Sequence, residues 1–128
     1  MITEVTKILV RERAGNRCEY CQLHQDDSPL SSLHIEHIIP RKHGGSDEMD
    51  NLTLACIDCN LHKGPNLTGI DPQTNKVTEL FHPRRQRWSV HFAWEGSSLV
   101  GQTAIGRTTV RVLDMNSDDQ IALRSSER

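Results

Sequence analysis

The sequence predicts an α+β fold: a compact helix–strand–strand–helix core stapled by cysteines, then a small antiparallel β extension and a C-terminal helix. Three observations predict it. Cys18-Glu19-Tyr20-Cys21 and Cys56-Ile57-Asp58-Cys59 are two Cys-x2-Cys knuckles. Between them, Leu33-His34-Ile35-Glu36-His37-Ile38-Ile39 alternates apolar and polar residues at period two, the signature of a strand. Apolar residues at helical spacing open and close the chain.

The elements follow in order. Thr3 is placed to cap a helix in which Val5, Ile8, Leu9 and Glu12 recur at helical spacing, and Gly15-Asn16 stops it. The first knuckle follows as a tight loop, and residues 22–32, with Asp26, Asp27, Ser28 and Pro29, read as polar loop. The alternating strand ends at Pro40 and gives way to a charged loop carrying Gly44-Gly45. Asn51-Leu52-Thr53-Leu54-Ala55 is a second short strand, leading into the second knuckle and a short helix that Asn60 begins. Beyond Pro65, residues 71–75 form a turn cluster, and strands are expected over 77–81, 88–94 and 98–103, the last two joined at Glu95-Gly96. In the middle strand Trp88, Val90, Phe92 and Trp94 would share one face, as core. A helix over 106–113 turns Val110 and Leu113 inward, and Ser117 caps a last helix through Ile121 and Leu123 into a charged tail.

Composition narrows the function. A chain of 128 residues is the size of one domain, yet 35% hydrophobic and 4% aromatic content supply only a modest core. The formal net charge of −2 excludes binding to nucleic acid by bulk charge alone. No apolar run approaches the roughly 20 residues of a bilayer span, and the N-terminus shows no secretory pattern. A cytoplasmic protein with no membrane partner is therefore expected, where thiols stay reduced and cysteine pairs serve metals. Cys18, Cys21, Cys56 and Cys59 can complete a tetrahedral Zn²⁺ site, which with four protein ligands is structural. The competing readings are a redox Cys-x2-Cys motif, which normally stands alone, and two disulfides.

Glu36-His37-Ile38-Ile39-Pro40, Gly44-Gly45, Asn51-Leu52 and Cys56-x2-Cys59-Asn60-x2-Lys63 occur in that order. The set resembles the HNH endonucleases of the ββα-metal class, over about residues 14–64. The resemblance implies a ββα-metal core within one domain spanning residues 1–128, with the rest, about 70–128, as a basic C-terminal extension. It implies that His37 is the general base, and that Glu36 and Asn60 hold a catalytic divalent cation, Mg²⁺, Mn²⁺ or similar. Asn51 then braces the loop holding the histidine, and Lys63 is a basic position of the catalytic set. The family more often has Asp or His where Glu36 stands, which bears on metal preference. His34, two residues earlier on the same strand face, is within reach of the metal, but a structural or substrate-side role is the preferred reading for it. The implied chemistry is coherent: a histidine titrating near neutrality suits proton abstraction from water, and a hard cation suits the charge developing on phosphate and on the departing 3′ oxygen.

The net charge conceals an uneven distribution. From Lys76 to Arg111 there are six basic residues and two acidic ones. Arg84, Arg85 and Arg87 are the densest group and are candidates for nucleic-acid phosphates, with double-stranded DNA as the expected partner. The sequence thus predicts a metal-dependent phosphodiester hydrolase. The alternative is a zinc-dependent nucleic-acid-binding module that keeps the fold without cutting.

Overall fold

The computed structural model describes residues 1–28 and 32–125. Residues 29–31, part of the expected polar loop, and residues 126–128, the end of the charged tail, lie outside the described residues.

Helix α1 (Glu4–Ala14) begins where the Thr3 hydroxyl accepts the Thr6 amide at 3.1 Å, and it ends at Gly15 with φ +62°. Its docking differs from the expected stripe. Val10 is fully buried, whereas Val5, Ile8 and Leu9 are exposed. Two arginines clamp the helix to the strands instead. Arg11 donates to the Leu33 carbonyl at 2.9 Å, and Arg13 donates to the carbonyls of Met49 at 2.8 Å and Leu52 at 2.6 Å. A guanidinium on a backbone carbonyl leaves no trace in hydrophobic periodicity, which is why the pattern named the wrong face.

Strands β1 (His34–His37) and β2 (Leu52–Ala55) pair antiparallel, with Glu36 opposite Thr53 and His37 opposite Leu52. All four β2 residues are buried, while β1 is half-buried throughout, so β1 presents its polar side chains at the surface. Helix α2 (Ile57–Lys63) follows at once, capped by the Cys56 sulfur, which accepts the Cys59 amide at 3.4 Å. Asn60 lies midway along α2, not at its start. The second knuckle itself forms the first turn, because the cysteine sulfur does the work of a capping oxygen.

The extension begins with a hairpin, β3 (Thr68–Ile70) against β4 (Val77–Glu79), closed by the expected turn with Asn75 at φ +61°. Strand β3 is too short to show alternation in the sequence. Gly69 is needed there, since a Cβ would lie 2.5 Å from Val112 of helix α4 (Ala104–Val112), which packs on the hairpin. Arg107 of α4 grips the buried Asp71 with two hydrogen bonds, at 3.0 and 2.9 Å. Those bonds hold the Asp71 carboxyl well below the usual carboxylate range. A carboxyl more acidic folded than unfolded contributes stability above its unfolded pKa, about 3.9, and loses it as pH falls through the folded value. Acidification below about pH 4 is therefore expected to lower the denaturation midpoint, and Asp71→Asn to flatten that dependence in urea titrations across pH.

The strand expected over 88–94 is divided. Trp88 to His91 wind into one helical turn, α3 (Trp88–His91), before β5 (Phe92–Glu95), which pairs with β6 (Ser98–Gly101) around Gly96 at φ +63°. Trp88 and Phe92 are four residues apart, a spacing that shares a face in a helix as well as in a strand. Their rings meet at 5.2 Å, and Trp88 reaches Trp94 at 5.8 Å, so the aromatic core forms while Val90 turns out to solvent. Helix α5 (Asp118–Ser125) is capped by Ser117, whose hydroxyl accepts the Gln120 amide at 3.2 Å. No helix among the described residues is long and apolar enough to cross a membrane.

Candidate active site

The four cysteines converge. One sulfur from each of Cys18, Cys21, Cys56 and Cys59 lies within 4.8 Å of the others, all four residues are buried, and none is in a disulfide. Cys21 and Cys56 sulfurs are 3.7 Å apart, far beyond a disulfide bond but close to the edge, about 3.8 Å, of a tetrahedron with Zn–S near 2.3 Å. Each knuckle turns a backbone amide onto its own first sulfur, Cys21 to Cys18 and Cys59 to Cys56, both at 3.4 Å. Such bonds favour thiolates. Burial alone would raise the Cys18 thiol, yet hydrogen bonds from Cys21, Cys56 and Cys59 hold it well below its ordinary value. Cys21 and Cys59 are pushed well up in turn, chiefly by Cys18. The donor set fits a closed, four-sulfur zinc site.

The C-terminal part of the chain covers this cluster. Arg84 pairs with Glu19, inside the first knuckle, and Glu19 also receives the Thr53 hydroxyl and the Leu54 amide, the latter at 3.2 Å. Trp88 donates its indole N–H to the Tyr20 carbonyl at 2.7 Å, and Gln120 lies 4.0 Å from the Cys21 sulfur. Glu19 escapes a motif search because its role lies between two ligands and is defined only by its partners.

Beside the cluster a cleft of about 440 Å³ is lined by Tyr20, Glu36, His37, Asn60 and Lys63, among others. Adjacent strand residues ordinarily face opposite ways. Here β1 ends at His37, the chain bends through Ile38-Ile39, and both Glu36 and His37 border the cleft. Burial raises the Glu36 carboxyl, against the opposing pull of His34, His37 and Lys63. Its carboxylate lies 4.0 Å from the His34 Nδ1. A half-buried carboxylate and the Asn60 amide, lining one cleft, offer oxygen donors that suit a hard divalent cation.

Lys63 is buried, not the exposed helix-end lysine that its position suggests. Its ammonium donates to the Ile38 carbonyl at 2.9 Å, which ties the end of α2 to the bend after His37. Asn51, also buried, is the brace of the loop. Its amide nitrogen donates to the carbonyls of Ile39 at 3.0 Å and Ser46 at 2.8 Å, and its oxygen accepts the Ile39 amide at 2.9 Å. The glycine pair serves the same loop: Gly44 takes φ +86°, and a Cβ on Gly45 would collide with the Ile39 carbonyl at 1.6 Å. Asn51→Ala would strand three buried backbone and side-chain bonds, at about 1–3 kcal/mol for each group left unpaired. The expected result is a melting temperature lowered by roughly 10 °C or more in calorimetry.

The structure adds a residue that the motif did not mark. Asp47 accepts from His37 Nε2 at 2.7 Å and from Arg41 at 3.0 Å. The hydrogen bond with His37 first, then the Met1 amine and Arg41, hold its carboxyl well below the usual range, so it is an ionised acceptor. Nε2 is therefore the nitrogen that donates to Asp47, which in the neutral imidazole leaves the lone pair on Nδ1. Asp47 sits in a charged loop where an acid is unremarkable in sequence; only the folded loop brings it to the imidazole. Of the basic group, Arg84 is engaged with Glu19, whereas Arg85 and Arg87 are exposed.

Comparison with known proteins agrees with this geometry. The family model of HNH endonucleases matches residues 18–66. The chain is 26% identical over 117 residues to the Septu protein PtuB of Bacillus thuringiensis, an alignment covering 90% of this chain and 42% of that protein. No solved structure matches it significantly. The tetracysteine cluster, the antiparallel β1–β2 pair and the helix after it all lie inside the stretch, residues 18–66, that is similar to the HNH endonuclease family, and their arrangement is consistent with a ββα-metal fold.

Proposed function

We propose that the protein is a metal-dependent endonuclease that hydrolyses phosphodiester bonds in DNA. The observation that carries this reading is the meeting of Glu36, His37, Asn60 and Lys63 in one cleft next to the four-sulfur cluster. His37, held through Nε2 by Asp47, offers Nδ1 to the proton of the attacking water, the water oxygen attacks phosphorus, and the bond to the 3′ oxygen breaks. Glu36 and Asn60 would hold a Mg²⁺ or Mn²⁺ ion, which when bound supplies a positive charge for the phosphate oxygens and the leaving oxygen. Asn51 keeps the His37 loop in place and Lys63 fixes the bend beside it. Zn²⁺ on Cys18, Cys21, Cys56 and Cys59 has no position left for substrate and serves the fold.

The test is supercoiled plasmid incubated with Mg²⁺, with Mn²⁺ and with a chelator. Nicked or linear product with a divalent ion, and none with the chelator, is expected. Binding without product under every ion would favour the non-cutting module. Arg85 and Arg87 are placed to hold the backbone. The double variant Arg85→Ala/Arg87→Ala should weaken DNA binding uniformly across sequences and lessen the slope of log K against log salt by about two. Titrations by fluorescence anisotropy at several salt concentrations measure it.

A further inference from the structure

A second cavity, of about 230 Å³, opens on the other side of Lys63. Its floor is apolar and buried, made by Ile38, Leu80 and Phe81. Its rim is polar and exposed, with Asn66, Glu79 and Arg85. The side chains of Asn66 and Arg85 make no hydrogen bond among the described residues, and Glu79 spends one oxygen on Gln86 at 3.1 Å, leaving the other open. Burial, then the neighbouring Arg85, hold His82 below its ordinary pKa, so the wall that it forms is uncharged at neutral pH. The volume falls below that of pockets for drug-sized molecules, and the lining suits one flat ring system with hydrogen-bonding edges.

The surroundings say where such a ring comes from. Lys63 lines both this cavity and the cleft, and Ile38 on its floor directly follows His37. A third depression, of about 440 Å³, shares Ile39, His82 and Arg85 with the cavity and runs along the Gly44-Gly45 loop. The three hollows thus adjoin, the buried Lys63 separating the first two and the exposed Arg85 bordering the last two. An exposed arginine beside an apolar seat is the arrangement that takes a nucleic-acid strand, a phosphate on Arg85 and a base in the hollow.

We propose that this cavity is a base-binding subsite, in which one unstacked nucleobase of the substrate strand, adjacent to the phosphate held in the cleft, rests on Leu80 and Phe81 with its edge toward Asn66 and Glu79. The proposal rests on the nuclease reading. A base seated there has left the duplex stack, so single-stranded or locally opened DNA is the preferred form near the cut.

The experiment uses the full chain and a short single-stranded DNA oligonucleotide in which an abasic residue is placed at each position in turn. Binding is measured by anisotropy with His37→Ala, which prevents cutting, and again in that background with Thr68→Trp, which fills the mouth of the cavity, or Asn66→Ala. Circular dichroism checks that each variant is folded. Loss of one base should weaken binding about tenfold at a single position and little elsewhere. That dip should vanish in Thr68→Trp and shrink in Asn66→Ala. A flat profile, or a dip unchanged in both variants, overturns the subsite. Cleavage of the same oligonucleotides by the wild-type chain with Mg²⁺ separates the two readings. Cutting with a flat binding profile rejects the subsite and keeps the nuclease, whereas a dip without cutting rejects the nuclease and keeps the base site. No binding rejects the subsite.

Discussion

Cys56→Ala is expected to leave the protein unfolded, and removal of the ion by a strong chelator is expected to do the same to the wild type. Four buried sulfurs lie within 4.8 Å of one another and tie α1's end to the junction of β2 and α2. Zinc on such a set contributes about 10–16 kcal/mol, apparent, at neutral pH. Whole domains are stable by only about 5–15 kcal/mol, so the domain cannot lose this site and remain folded. The cysteine content is also large for so modest a core, which includes all four cysteines among its buried members. Far-UV circular dichroism and metal analysis of the same sample test it. A variant with native ellipticity and native melting, or a wild type that melts identically with and without chelator, would remove the structural role of the cluster.

The second large effect is on rate alone. His37→Ala should lower cleavage by about 10²–10⁴-fold, the usual span for a lost general base, while melting temperature and DNA affinity stay near wild type. The imidazole's hydrogen bond among the described residues is with Asp47, which keeps Arg41 and the Met1 amine when it is gone. None of the four cysteines touches it, so the fold loses little. Rates on supercoiled plasmid, taken beside binding curves for the same preparations, separate chemistry from association. Undiminished cutting by the variant would take His37 out of the mechanism.

Much of the site was legible because its members are spaced by short, stiff pieces of chain. The knuckles, the alternating strand and the Asn51-Leu52 start of β2 all have local signatures, and the structure brings these pieces together. What stayed hidden is defined by distant partners. Asp47 and Glu19 are ordinary acids until the fold sets one against His37 and the other against Arg84 and Thr53. The docking of α1 leaves no hydrophobic signature, because Arg11 and Arg13 bind strand-side carbonyls while Val5, Ile8 and Leu9 stay exposed. The strand assigned to 88–94 failed from a real degeneracy, since four-residue spacing of aromatics satisfies a helical turn and a strand alike. Lys63 reads as a surface residue on any composition scale, and only the bend at Ile38 gives its ammonium a buried acceptor.

The lid on the sulfur cluster has a consequence for modularity. The family match stops at residue 66, but Arg84, Trp88 and Gln120 all reach back to residues 19–21. The boundary of the recognisable motif is therefore not the boundary of the unit that folds. The first cysteine knuckle is walled in by a segment that lies outside the matched residues. Engineering that exchanges residues 18–66 must carry that segment along, because side chains that cover the cysteine cluster come from more than sixty residues later in the chain.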